Sequence, residues 1–192
     1  VIYRCSNRDC GARIRENLYQ YVARSAFDLR GLGPQIIDRF LDEGLIGDAA
    51  DIFFLRKGDI ETLERFGAKS AENIIEEVRR KKNISLGRFI YALGILHVGE
   101  ETARLLAKKV VDEIKKEEIN ITDFTQFFEK MGLEELQGIR DVGPAVAQSI
   151  YNWFHTKRHI KLLEDLSAAG VALEVSRQWL AGGKLSGKVF VI

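Results

Sequence analysis

Leu136-Gln137-Gly138-Ile139-Arg140-Asp141-Val142-Gly143-Pro144-Ala145-Val146-Ala147 ends a short amphipathic segment, turns on glycines and begins a new helix at Pro144. Proline is favoured just inside a helix N-terminus, where its missing N–H is not needed. Glycine suits a tight turn because it tolerates positive φ and lets another backbone or a ligand come close. The helix that follows offers unpaired backbone N–H groups and the positive end of its dipole, a seat for an anion such as phosphate.

The arrangement recurs three times upstream, at Leu29-Arg30-Gly31-Leu32-Gly33-Pro34, at Leu63-Glu64-Arg65-Phe66-Gly67-Ala68-Lys69-Ser70-Ala71 and at Ala92-Leu93-Gly94-Ile95-Leu96-His97-Val98-Gly99-Glu100-Glu101-Thr102-Ala103. The last glycines fall at 33, 67, 99 and 143, in steps of 34, 32 and 44 residues. Such spacing marks repeated supersecondary units, although the uneven steps exclude a regular solenoid. In each unit an apolar residue (Leu32, Phe66, Val98, Val142) is expected to tuck under the turn and lock it to the core. The backbone N–H groups then face outward as a nest for a phosphate oxygen. Contacts of this kind read the sugar–phosphate backbone and carry no base information.

The candidate contacts follow unit by unit. They are Arg30, Gly31 and Gly33 in the first, and Gly67, Lys69 and Ser70 in the second, where a cation and a hydroxyl lie in the first helical turn. Gly94 and Gly99 belong to the third, and Gly138, Arg140 and Gly143 to the fourth. Glu100 and Glu101 occupy the matching place in the third unit and would repel a phosphate, which makes it the weakest contact. A single glycine turn is also what any helical domain uses to join two helices. Four turns with a shared glycine favour the phosphate reading. A dinucleotide-binding loop is a poor rival, since Gly31 and Gly33 lack the third glycine and no strand precedes them.

Composition agrees with a modest, local electrostatic role. The 192 residues carry 29 Lys and Arg against 28 Asp and Glu, a net charge of +1. That balance argues against a protein that grips nucleic acid by bulk charge alone, and permits one that uses a local basic strip and backbone amides. Hydrophobic residues at 46% and only two prolines fit an α-rich globular fold. No apolar run is long enough to span a membrane, and no signal peptide opens the chain. Two cysteines do not make a secreted disulfide framework, so an intracellular setting is expected. The only methionine is Met131, and the chain is expected to be a piece of something longer.

Helical periodicity runs from Ala23 onward. Pro34–Glu43 carries Ile36, Ile37, Phe40 and Leu41, and Ala68–Lys82 repeats Ala71, Ile74, Ile75 and Val78 on one stripe. Asp48 and Asp59 are expected N-caps of short helices around Ala49–Leu55 and Ile60–Arg65, and Ser85 of the next. Helices follow over Gly99–Lys115, from Asn120, over Pro144–Phe154 and over Lys157–Ala169, with Trp153 and Phe154 in the core. The basic runs Arg79-Arg80-Lys81-Lys82 and Lys108-Lys109 read as solvated helix ends, and His155 and His159 as helix surface. Cys5 and Cys10 form half of a four-ligand zinc pattern, or are two unpaired thiols or an opportunistic disulfide; the residues alone leave these open. Ala181-Gly182-Gly183-Lys184 reads as a linker and Leu185–Ile192 as the first strand of a new unit.

Taken together, these parts resemble the C-terminal half of the bacterial NAD-dependent DNA ligase family. The resemblance lies in the Cys-x4-Cys half-knuckle, the four glycine hairpins and the terminal Leu-Ser-Gly-Lys-Val-Phe-Val-Ile, in that order, over nearly the whole chain. Particular matches are Phe27–Gly33, Leu63–Ala71 and Phe89–Ile95 leading to Val98-Gly99. The resemblance implies an all-α tandem helix-hairpin-helix domain of four motifs over residues 23–180. A C-terminal half of a zinc finger over 1–22, with Cys5 and Cys10 as ligands, would precede it, and a linker and first BRCT strand over 181–192 would follow. It implies sequence-independent binding of double-stranded nicked DNA, from the minor-groove side, within an enzyme that seals nicks in bacterial replication and repair. That family adenylates a lysine with NAD, passes AMP to the 5′-phosphate of the nick and seals it with magnesium. The adenylation domain, and with it the NAD and magnesium sites, lies outside this chain, which would be inactive alone and a cytoplasmic monomer. Alternatives are a helix-hairpin-helix module of a repair nuclease or scaffold, or a helical protein-interaction domain.

Overall fold

In a computed structural model the described residues are 10–116 and 118–176. Ten α-helices and two short strands lie among them. Helix α1, Gly11–Val22, is followed by α2, Pro34–Asp42, a 3-10 turn at Asp51–Phe53, α3, Lys57–Glu61, and α4, Ala68–Arg80. Strand β1, Asn83–Ser85, leads into α5, Leu86–Ala92, and α6, Glu100–Ile114. Then come α7, Ile121–Lys130, α8, Leu133–Gln137, α9, Pro144–Phe154, α10, Lys157–Ala168, and strand β2, Ala172–Glu174.

Each long helix forms for a reason visible in its residues. Helix α4 buries Ala71, Ile74, Ile75 and Val78, one stripe at helical spacing, and leaves the rest of its surface polar. Helix α7 starts at a reciprocal cap: the Asn120 side chain accepts from the Asp123 amide at 2.8 Å, and the Asp123 carboxylate reaches back toward the Asn120 amide. Trp153 and Phe154 are buried on α9, as their stripe predicts.

Four expectations change. Residues 11–22 form helix α1, whose Leu18, Tyr21 and Val22 are buried in the common core. Ile14, Leu18, Tyr21 and Val22 form one apolar stripe at helical spacing along it. Around Asp48 only a 3-10 turn forms, with the Asp48 carboxylate accepting the Ala50 amide at 2.9 Å. Asp59 is the third residue of α3 and reaches back to the Arg56 amide at 3.1 Å, and Ser85 stands at the N-cap of α5 without a side-chain cap bond.

The all-α expectation also needs amending. Strands β1 and β2 pair in parallel, with Asn83 opposite Ala172, Ile84 opposite Leu173 and Ser85 opposite Glu174. The Ala172 amide donates to the Lys82 carbonyl at 2.9 Å, and the Lys82 ammonium donates to the Ala169 carbonyl at 2.6 Å. The end of the described chain is thereby fastened to the connection between the second and third hairpins. The expected terminal strand at 185–192 and the linker at 181–184 lie outside the described residues.

A file of aromatic rings runs through the core. Tyr21 stacks on Phe27 at 4.4 Å, Phe27 meets Phe89 at 6.4 Å, Phe89 meets Phe124 at 5.5 Å, and Phe128 stacks on Phe154 at 4.5 Å. The first pair of hairpins and the second therefore share one apolar interior.

Candidate nucleic-acid interface

The four hairpins share one backbone form. Each contains a turn closed by an amide donating three residues back: Leu32 to the Leu29 carbonyl at 3.2 Å, Phe66 to Leu63 at 3.0 Å, Val98 to Ile95 at 3.0 Å and Val142 to Ile139 at 3.1 Å. The third residue of every turn is left-handed: Gly31 at φ +87°, Arg65 at +72°, His97 at +68° and Asp141 at +63°. Next comes the apolar anchor, with Leu32, Val98 and Val142 buried and Phe66 half-buried against Phe40. The glycine after it is the N-cap of α2, α4, α6 or α9. Four residues into each helix sits a fully buried residue, Ile37, Ala71, Ala103 or Ala147, whose amide donates to the N-cap glycine carbonyl at 2.9–3.1 Å.

This form answers whether the turns are open or already filled. Gly33, Gly67, Gly99 and Gly143 are exposed, and the space beside each Cα is empty of protein. No side chain caps any of the four helices. Among the described residues, the amides of Gly33 and Gln35, of Gly67, Ala68 and Lys69, of Gly99, Glu100 and Glu101, and of Gly143 and Ala145 donate to no acceptor. Such orphan donors at a helix start are a ready anion site. Hydrogen bonds to a charged acceptor are roughly twice as strong as neutral ones.

The side chains around these cradles differ. Arg30 and Arg140 occupy the second position of their turns, with side chains 78% and 89% exposed. In hairpin two that position is Glu64, and the cation is Lys69 in the first turn of α4, exposed and 3.6 Å from Glu72, with Ser70 exposed beside it. In hairpin three it is Leu96, exposed, with Glu100 and Glu101 in the first turn of α6. The Arg30 amide is taken by Glu77 at 3.2 Å. Burial opposes charge on Glu77, but bonds from the Arg80 guanidinium and the Arg30 amide outweigh it and leave the carboxyl below its ordinary range.

Two predicted site residues fall elsewhere. Gly94 does not correspond to Gly31: it lies at the end of α5, where an added Cβ would sit 3.6 Å from the Asn17 side chain of α1. Gly138 is the C-cap of α8, with an added Cβ 3.3 Å from the Glu135 carbonyl. The residues that do correspond to Gly31 are Arg65, His97 and Asp141, none of them glycine. Aligning the units on their N-cap glycines exposes this, whereas matching glycine to glycine hides it.

The basic run at the end of α4 is also redistributed. Lys81 pairs with Asp28 at 2.6 Å, and its hydrogen bond holds the Asp28 carboxyl below the ordinary value of 3.8. Arg80 is exposed but pairs with Glu77, and Lys82 holds the Ala169 carbonyl, while Arg79 is exposed at the end of α4. His155 stacks on Tyr151 at 3.9 Å and His159 on Trp153 at 4.5 Å. Cys10 stands at the N-cap position of α1, and Cys5 lies outside the described residues. Among the described residues no group of three His, Cys, Asp or Glu could hold a metal ion. No helix among them is long and apolar enough to cross a membrane.

Comparison with known proteins matches the same segments. The family described as a SAM-like helix-hairpin-helix tandem matches residues 24–80, which contain hairpins one and two. The family described as a helix-hairpin-helix motif matches residues 125–163, which contain hairpin four. A DNA ligase of Geotalea uraniireducens is 40% identical over 191 residues, covering 100% of this chain and 26% of that protein. DNA ligases of Pelotomaculum thermopropionicum and Desulforudis audaxviator are 40% and 38% identical, with 98% of this chain and 26% of each relative covered. The chain is homologous to a helix-hairpin-helix segment of bacterial DNA ligases. It spans about a quarter of the length of these relatives. The matched segments contain hairpins one, two and four.

Proposed function

We propose that this chain is the duplex-holding part of an NAD-dependent DNA ligase, gripping double-stranded nicked DNA by its phosphates without regard to base sequence. The observation that carries the reading is the repetition of one open cradle, with its amides unspent, at Gly33, Gly67 and Gly143. A lone uncapped helix start would mean little. Repeated starts on one rigid core present donors at fixed separations, as a regular polyanion requires.

The work of each residue follows from its place. Leu32, Phe66 and Val142 pin the turns to the core, so the amides are held in position before a phosphate arrives. The N-cap glycines leave room for a phosphate oxygen to reach the amides that follow. Arg30, Lys69 and Arg140 add cations at the cradle edges, and Ser70 adds a hydroxyl. Positions that touch only phosphate set register and orientation rather than sequence preference. Nick sealing would use NAD and magnesium at residues outside this chain, whose part would be to hold the duplex while the nick is closed. Cytoplasmic location and a monomeric state complete the proposal.

A salt titration tests it. Binding to two duplexes of unrelated sequence should be equal, and log affinity should fall linearly with log salt, by about 0.9 per phosphate neutralised by Arg30, Lys69 or Arg140. Three seats give a slope of roughly −3. Absence of binding, or binding that ignores salt, would show a protein-interaction domain instead.

A further inference from the structure

We propose that the third hairpin is an anion seat silenced by its own side chains, so that this protein grips DNA at three cradles rather than four. The inference rests on the duplex-binding reading above. Backbone geometry gives no reason to set this hairpin apart. His97 takes the left-handed turn position at φ +68°, the Val98 amide closes the turn at 3.0 Å, and the Ala103 amide donates to the Gly99 carbonyl at 2.9 Å. Gly99 has open space beside it, as Gly33, Gly67 and Gly143 do.

The chemistry is inverted. Where hairpins one and four place Arg30 and Arg140, hairpin three places Leu96, exposed at 44%. Where hairpin two opens its helix with Ala68-Lys69, hairpin three opens with Glu100-Glu101. Glu101 is 83% exposed and lies 3.3 Å from Arg104, one turn further along α6. Acidic residues in a first helical turn already satisfy the helix dipole, which removes much of what draws an external anion there. They also set two negative charges at the mouth of the cradle. An incoming phosphate would meet like charge within a few ångströms, where screening by salt is incomplete.

One set of variants settles the matter. Aspartate at an N-cap is sterically free here and a preferred capping residue, so it leaves the fold in place while putting a carboxylate in the seat. Gly143→Asp should weaken duplex binding about tenfold. Gly99→Asp should change it by no more than about twofold. The conversion variant Leu96→Arg/Glu100→Ala/Glu101→Lys copies the side chains of the other hairpins, and should raise affinity about tenfold and steepen the salt slope by about one. Loss of binding in Gly99→Asp equal to that in Gly143→Asp would overturn the inference, and so would a conversion variant with no gain. If Gly143→Asp is itself without effect, the duplex reading fails, and this inference with it.

Discussion

Gly31 and Gly33 are two residues apart and need glycine for different reasons. Gly31 sits at φ +87°, a conformation that costs an L side chain about 1–2 kcal/mol. Gly33 sits at φ −72° with nothing beside it, so its lack of a side chain serves approach rather than backbone strain. Gly31→Ala should therefore lower stability by about 1 kcal/mol in urea unfolding, and Gly33→Ala by less. Equal losses would mean that the turn positions have been misassigned. At this scale the N-cap glycines were legible in the sequence, because glycine before a helix start, with proline at Pro34 and Pro144, is local punctuation. The left-handed positions at Arg65, His97 and Asp141 were not: aspartate and histidine are enriched at positive φ, but too weakly to mark a position, and arginine gives no such signal. The turn bond and the buried anchor that follow hold them there.

At the level of elements, the basic end of α4 shows what composition conceals. A run of four cations suggests a solvated or DNA-facing strip, yet Lys81 and Lys82 act within the fold, one on Asp28 and the other on the Ala169 carbonyl. The Asp28 carboxyl has its pKa lowered by the Lys81 hydrogen bond, so the pair contributes stability above the ordinary aspartate value of 3.8 and loses it as pH falls below that value. Replacing Lys81 by Met should lower the melting temperature at pH 7, and the gap to the parent should narrow as pH falls below the ordinary aspartate value. A gap that stays constant across that range would mean the ammonium matters only for packing. Strands β1 and β2 were illegible for a related reason. Each spans three residues, too few for an alternating pattern, and their pairing joins segments nearly ninety residues apart.

Across the whole molecule, the line of rings from Tyr21 to Phe154 and the clasp between β1 and β2 make the two pairs of hairpins one body. Phe89 is fully buried and touches Phe27 on one side and Phe124 on the other. Phe89→Ala should cost about 3–5 kcal/mol, and the parent should unfold in a single transition. Separate transitions for the two halves in the parent would contradict a shared core. Rigidity matters for function because repeated phosphate seats are useful only at fixed separations. The central claim is that main-chain amides at these seats, more than the surface cations, hold the duplex. Its most direct test is the affinity of Gly67→Asp/Gly143→Asp for a nicked duplex, measured beside Arg79→Ala/Arg80→Ala and with melting temperatures for both. The account predicts that the aspartate variant melts no lower than the parent yet binds about a hundredfold more weakly, with a salt slope shallower by about two, while the arginine variant loses far less. Undiminished binding by the aspartate variant, or a larger loss in the arginine variant, would contradict it.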